Sequence, residues 1–267
     1  MARPRTFEEL VAEGAAEPVE GWDFSWLEGR ATEERPGWGY PGLLAERLSG
    51  ARAVLDIQTG GGEVLAGGLR ACAASGSPAR GPAMPRTMVA TESWPPNLVL
   101  ARRALAPCGG AVVQAADAGG LPFGSGRFDL VVSRHPTVAV WPEIGRVLAP
   151  GGGYLSQQVG AGSNRELTDF MMGPRPVNQS RSPVRAVAAA RGAGLEVIDL
   201  REQTLRLEFF DVGAVVYFLR KVPWTVPGFT VTGYAEPIAR MHAHICEQGS
   251  FVSTAPRFLI EARKPAR

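Results

Sequence analysis

Short apolar runs alternate with helical patterns from residue 51 onward. Runs bounded by glycine or polar residues are typical of buried parallel strands, and apolar residues three and four apart indicate helices. The pattern predicts strands at 53–57, 87–91, 111–114, 128–133, 153–159, within 195–207 and at 257–262, with helices at 63–74, 98–105, 143–148 and 184–191 and a long loop at 75–85. These repeated β-α-β units predict an α/β fold with a doubly wound, seven-stranded, mostly parallel sheet and a ligand at the carboxyl ends of its strands.

The segments outside this alternation are rich in aromatic residues. Residues 1–50 predict helices at 6–13 and 41–48 around an irregular stretch that holds Trp22, Trp26, Trp38 and Tyr40. That stretch packs on the main domain or covers an active site, and the two interpretations are compatible. Residues 205–256 form an insertion, in which Asp211 is expected to cap a helix and Trp224 lies in a Pro/aromatic loop. We therefore expect four parts: 1–50, a core at 51–204, the insertion at 205–256 and a final strand at 257–267.

Charge and composition narrow the function classes. With 28 basic and 26 acidic residues the net charge is +2, and the pI of 8.6 permits nucleic-acid binding without favouring it. Only two of the 28 basic residues are lysine, which indicates a GC-rich coding bias as in actinobacterial genes. No apolar run approaches a membrane span or a signal-peptide core, so we expect a cytoplasmic protein with no membrane contact. Three distant cysteines predict neither a disulfide framework nor a metal site.

The sharpest local signal lies where the first strand of the alternation meets the next helix. Residues 54–63 read Val-Leu-Asp-Ile-Gln-Thr-Gly-Gly-Gly-Glu. Glycines allow positive φ and close approach of a ligand, and a helix N-terminus favours a carboxylate or phosphate. A dinucleotide fingerprint would need a small residue at Leu65. Asp56, ahead of the glycines, disfavours a pyrophosphate and favours a cationic ligand.

Four motifs in order over residues 51–160 resemble the class I S-adenosylmethionine-dependent methyltransferases, especially the ubiquinone/menaquinone C-methyltransferase-like (methyltransferase type 11) subgroup. They are the glycine turn, the Thr91-Glu92 pair, the Ala116-Asp117-Ala118 segment with 121–133, and the helix and Pro-Gly-Gly at 143–153. The resemblance implies the Rossmann-like methyltransferase fold and S-adenosylmethionine as cofactor, with S-adenosylhomocysteine as product.

The resemblance also assigns roles to residues. Asp56 would lie beside the methionine amine, Gly60 and Gly62 under the cofactor, and Glu92 on the ribose hydroxyls. Ser93, Trp94, Asp117, Ala118 and Ser133 complete the expected cofactor site. One position departs from the family, because Gln58 stands where a glycine is usual. Its side chain is expected to reach the cofactor or substrate, or to point into the N-terminal segment.

Methyl transfer is an in-line displacement that alignment alone can accelerate. His135 is the candidate general base, because it follows the fourth strand and histidine titrates near neutral pH; the alternative is that it only orders the loop. The predicted acceptor-side residues are Trp22, Trp26, Trp38, Tyr40, Gln158, Arg165 and Trp224. They favour a small aromatic or apolar acceptor, and no metal is implied.

Two other functions stay open. An RNA or nucleobase methyltransferase would need a nucleic-acid module that the sequence does not show. A non-catalytic homologue that binds the cofactor would account for Gln58. A homodimer is compatible with the sequence, and a small-molecule acceptor is the expected partner, with no nucleic acid.

Overall fold

A computed structural model describes residues 5–74 and 84–266. The strands are β1 (Ala31–Glu33), β2 (Ala53–Asp56), β3 (Thr87–Glu92), β4 (Ala111–Gln114), β5 (Phe128–Arg134), β6 (Leu148–Val159), β7 (Glu196–Phe209) and β8 (Phe251–Arg263). The helices are α1 (Phe7–Ala16), α2 (Tyr40–Gly50), α3 (Glu63–Ala74), α4 (Pro95–Leu105), α5 (Trp141–Val147), α6 (Arg165–Met172), α7 (Pro183–Gly192), α8 (Val212–Lys221) and α9 (Ala235–Gln248). Most of the loop predicted at 75–85 lies outside the described residues.

The sheet of the described residues has eight strands, in the order β1-β7-β8-β6-β5-β2-β3-β4. The pairs from β6 to β4 are parallel, whereas β1 with β7 and β6 with β8 are antiparallel. The mostly parallel α/β sheet is confirmed, but the predicted count of seven strands is wrong. The extra strand is β1, which has only three residues and pairs Ala31 with Phe209. A three-residue strand is too short to show an alternating pattern.

The described chain divides into two compact units. The core unit holds 36–160, 180–203 and 257–267. Successive side chains of its strands point to opposite faces, so Val54 and Leu55 enter different apolar clusters. Helices α2 and α3 pack on one face, where Leu44 lies close to Gly68, and α5 and α7 pack on the other. This is the doubly wound arrangement, and it places the C-terminal ends of β2, β3 and β5 along one edge.

The second unit holds 1–35, 161–179 and 204–256. Its core is built from helices α1, α6, α8 and α9, with the ends of β7 and β8. The α1 and α8 backbones approach so closely that a Cβ on Gly14 would lie 2.2 Å from the Gly213 carbonyl oxygen. Asp211 caps α8 as predicted, because its side chain accepts a hydrogen bond from the Ala214 amide at 2.9 Å. None of the helices in the described ranges has both the length and the apolar character of a membrane span.

Candidate functional site

The glycine turn joins β2 to α3 in the core unit. Gly60 and Gly62 have φ of 65° and 79°, in the left-handed region that glycine adopts without strain. A Cβ on Gly62 would lie 3.0 Å from the Ala101 Cα atom of α4. The glycines therefore allow both the turn and the close packing of α3 on α4.

Glu92 ends β3 with its carboxylate bound to main-chain amides. It accepts from Gly60 N at 2.8 Å, Ser93 N at 3.0 Å and Trp94 N at 2.9 Å. Burial raises the pKa of Glu92, and these three hydrogen bonds oppose that shift. The carboxylate thus joins the glycine turn to the start of α4, and its oxygens retain lone pairs for further donors.

Asp56 is a buried carboxylate at the end of β2. It accepts a 2.6 Å hydrogen bond from the Thr59 hydroxyl and is 6% exposed. Burial raises its pKa to about 7, with the Thr59 bond opposing and the nearby Glu63 and Glu92 adding to the rise. A cationic group bound beside Asp56 would stabilise its charged form.

Gln58 has a left-handed backbone with φ of 57°, which is uncommon for a residue with a side chain. Its Nε2 donates to the Val138 carbonyl at 2.7 Å, and its Oε1 accepts from the Thr137 amide at 2.6 Å. The Thr137 hydroxyl donates in turn to Asp117 Oδ2 at 2.7 Å. We call these contacts the Gln58 bridge: they join the glycine turn to 137–138 and Asp117. Sequence reasoning missed Thr137, which no local pattern marks.

A small, mostly apolar pocket adjoins this bridge. Asp117 and Val138, which both accept from Gln58, line it together with Ile57 and Leu121. Ser133 and Tyr154, both buried, also line it, and the Ser133 hydroxyl hydrogen-bonds the Tyr154 hydroxyl at 2.8 Å. The structure thus places Ser133 in a buried hydroxyl cluster, which Ser156 completes.

The other predicted cofactor residues are more open. Trp94 is 43% exposed at the start of α4, and Ala118 is exposed in the loop after Asp117. They lie at the same strand edge as Glu92 and Asp117.

Residues predicted for the acceptor side fall in both units. In the core unit, Tyr40 is buried and donates its hydroxyl hydrogen to the Ser133 carbonyl at 3.2 Å. Trp38 and His135 both bond to the Gln157 side chain. Gln157 makes these contacts; its neighbour Gln158 is the residue predicted for the acceptor side, and that role stays a prediction. The two-residue period of a strand told us only that they point to opposite faces.

In the second unit, Trp22 and Trp224 form an exposed pair. Their ring centroids are 5.8 Å apart, and the side chains are 41% and 51% exposed. Trp26 instead packs on Tyr217, with the Arg30 guanidinium 4.0 Å above its ring. Arg165 begins α6 and pairs with Asp169. Among the residues that the structure describes, no three His, Cys, Asp or Glu side chains form a group that could hold a metal ion.

The fold is supported by comparison with solved structures and not by comparison of the sequence with known proteins. No family model and no curated protein matches the sequence. A protein from Bacillus halodurans assigned as a methyltransferase matches at 18% identity and a TM-score of 0.56, over 84% of this chain and 98% of its own. The [4+2]-cyclase SpnF matches at 19% identity and a TM-score of 0.50, over 98% and 92%.

A third solved structure is that of a protein linked to the conversion of a disulfide bond into a thioacetal group during echinomycin biosynthesis. It matches at 14% identity and a TM-score of 0.50, over 88% of this chain and 87% of its own. Identities this low establish a shared architecture and not a shared reaction. The strand order, the glycine turn and these likenesses together show that this chain has the class I methyltransferase fold.

Proposed function

We propose that the protein transfers a methyl group from S-adenosylmethionine to a small aromatic or apolar acceptor. The observation that carries the proposal is the position of Glu92. It is a buried carboxylate at the end of β3, bonded to the amides of the glycine turn and of the α4 start. A pair of ribose hydroxyls suits such a carboxylate, because charge-assisted hydrogen bonds are strong.

The remaining residues at this edge fit the same cofactor. Asp56 is buried with a raised pKa, and the positive charge of a methionine amine would offset its burial. Gly60 and Gly62 leave no Cβ on the turn, and Trp94 offers an exposed ring for an adenine. Asp117 has a carboxylate that an adenine amino group could use, with Ala118 beside it.

The Gln58 side chain is the feature that we expect to weaken cofactor binding at this site. Its side chain spans from the glycine turn to 137–138, and Thr137 already donates to Asp117. A cofactor that uses Asp117 has to bind beside the Thr137 hydroxyl on the same carboxylate. We therefore propose that Gln58 lowers affinity for the cofactor without preventing binding.

The cofactor, when bound, supplies an electrophilic methyl group that a nucleophile displaces in line. Glu92 holds the glycine turn and the start of α4 in place through their amides. Asp56 would balance the positive charge of the methionine amine. Alignment of this kind can account for most of a rate enhancement.

The exposed Trp22–Trp224 pair supports an acceptor with a flat apolar surface, because aromatic rings favour stacked or tilted contacts with other rings. We propose a natural product, a quinone or an indole as the acceptor class; the likeness to SpnF and to the protein from echinomycin biosynthesis is one of fold alone. Trp26, Trp38, Tyr40, Gln158 and Arg165 stay proposed acceptor-side residues. Of the proposed residues, Trp22 and Trp224 are the ones we would vary first.

Calorimetric titration with S-adenosylmethionine and S-adenosylhomocysteine, beside NADH, tests the cofactor. We expect micromolar binding of both sulfur compounds, no binding of NADH, and a large loss in Glu92→Ala. Glu46→Ala, on an exposed face of α2, is the matched control and should bind as wild type. Folded wild-type protein that binds neither sulfur compound would overturn the proposal and favour a homologue that has lost the cofactor.

Quenching of tryptophan fluorescence by a panel of quinones, indoles and polyketide-like phenols tests the acceptor class. Trp22→Ala and Trp224→Ala should each weaken binding of the best ligand, whereas Phe210→Ala, exposed in the same unit, should not. Tighter binding of short RNA than of every small molecule would favour the nucleobase alternative.

A further inference from the structure

His135, Gln157 and Trp38 form a chain of side-chain hydrogen bonds in the core unit. His135 follows β5 with a left-handed φ of 54°, and its amide donates to the Gln157 carbonyl at 2.7 Å. Its ring Nε2 lies 2.9 Å from Gln157 Nε2. Gln157 Oε1 accepts from the Trp38 indole Nε1 at 2.8 Å. Gln157 is 3% exposed, so water does not readily replace these partners.

The Trp38 indole N–H at one end of this series of hydrogen bonds determines which atom donates in each of the other bonds. An indole N–H can only donate, so the amide atom of Gln157 that faces Trp38 has to be the oxygen. The amide NH₂ then faces His135, and an NH₂ group can only donate. The imidazole Nε2 must therefore present its lone pair. A neutral ring carries one proton, which in this arrangement is on Nδ1.

The surroundings favour the neutral ring. Burial lowers the pKa of His135 well below its usual value, and the positive charges of Arg134 and Arg257 lower it further. A doubly protonated ring would also turn an N–H toward the Gln157 NH₂, with no acceptor between the two donors.

We propose that Trp38 and Gln157 are positioning residues that hold His135 in the neutral Nδ1–H tautomer. His135 is then a hydrogen-bond donor through Nδ1, and Nε2 cannot accept a proton until the Gln157 amide turns away. This replaces the general base expected from the sequence with a donor.

Under the proposed function, the donor role narrows the acceptor class. An acceptor that contacts His135 Nδ1 would present an oxygen or nitrogen lone pair, such as a carbonyl or a phenolate, and His135 would not remove its proton. This extension rests on the proposed function, whereas the tautomer itself is a property of the unliganded protein.

Nuclear magnetic resonance of protein labelled with ¹⁵N-histidine tests the tautomer without any ligand. The chain has three histidines, and His135→Gln assigns the His135 signals by their loss. Long-range ¹H–¹⁵N correlation at pH 7 should show His135 protonated on Nδ1 and unprotonated on Nε2. His242 and His244, on α9, serve as internal references.

Gln157→Glu is the decisive variant. Its carboxylate can accept from Trp38 with one oxygen and offers the other to His135, so the ring should become protonated on Nε2 and its pKa should rise. Gln203→Glu is the matched control, because it adds the same charge near Trp38 and keeps the oxygen that accepts from the Gly37 amide. It should leave the His135 tautomer unchanged.

Trp38→Phe is the second variant, in case Gln157→Glu does not fold. Loss of the indole donor leaves the Gln157 amide free to turn, so the Nδ1–H form should lose its excess over the Nε2–H form. The proposal is overturned if wild-type His135 is protonated on Nε2 or doubly protonated at pH 7. It is also overturned if folded Gln157→Glu keeps the wild-type pattern. Failure to bind S-adenosylmethionine would contradict the proposed function and leave this tautomer result standing.

Discussion

Two sides of the candidate site are held together in different ways. On one side, Glu92 accepts three hydrogen bonds from main-chain amides. On the other, Asp117 is tied through the side chains of Thr137 and Gln58. Glu92 binds its main-chain donors directly, whereas the contacts of Asp117 depend on two further side chains, and substitution of either one removes part of the bridge. We therefore expect the Glu92 side to be needed for folding and binding alike, and the Asp117 side to tune binding.

Glu92→Ala should have the largest effect. It leaves three amides of the turn and of the α4 start without their acceptor; the Gly60 bond is buried, and an unpaired buried donor costs about 1–3 kcal/mol. We expect unfolding in urea to need about 3 kcal/mol less free energy, and cofactor binding in calorimetry to weaken about 100-fold. A variant as stable as wild type would show that water replaces the carboxylate.

Asp56→Asn tests the third carboxylate of the site. The hydrogen bond described for the Asp56 side chain is the one from the Thr59 hydroxyl. The pKa of Asp56 is about 7 in the folded protein and 3.8 for the unperturbed group, so the unfolded chain releases its proton first. Stability of wild type should therefore fall as pH rises from about 4 to about 7. The rise in the pKa of Glu92 acts in the same direction.

In Asp56→Asn the difference between unfolding free energies at pH 5 and pH 8 should shrink by about 3 kcal/mol. Urea unfolding at the two pH values measures it, and Asn keeps an oxygen for Thr59. An unchanged pH dependence would mean that Asp56 ionises normally.

Asp117→Ala should weaken cofactor binding about tenfold and change stability by less than about 0.5 kcal/mol. Asp117 is only half-buried, and water can replace it as the acceptor for the Thr137 hydroxyl. Thr137→Val keeps the carboxylate and removes its partner, so it should bind the cofactor at least as tightly as wild type. Calorimetry and thermal unfolding measure both. A loss of stability as large as that of Glu92→Ala would remove the contrast between the two sides.

Gln58→Gly should have the smallest effect. It relieves about 1 kcal/mol of strain at a left-handed residue and gives up hydrogen bonds of similar total value. Binding of S-adenosylhomocysteine should tighten roughly three- to tenfold. Gln58→Asn is the matched control, because asparagine tolerates the same φ and is too short for the full bridge. Weaker binding in both variants would instead make Gln58 an organiser of the site.

Much of the fold could be predicted from local sequence. The helix at 63–74 and the strand at 111–114 were placed at the bounds that the structure shows. Strands β6 and β8 were placed but are longer than predicted. Helix α9 was missed, although Ile238, Met241 and Ile245 lie on one face at spacings of three and four. Helix α6 was missed as well. It has only eight residues, so its apolar residues span about two helical turns and form no clear helical pattern.

The sequence by itself determined the alternation of strands and helices from β2 to β6, the glycine turn after β2 and the acid that ends β3, because these depend on residues close in the chain. Only the tertiary structure decided where Gln58 points, since Thr137 lies 79 residues away. The same holds for Trp38, which meets Gln157 across 119 residues. A hydrogen bond depends on the distance and direction of two groups in space, and local pattern holds no information on either when the chain between them is long.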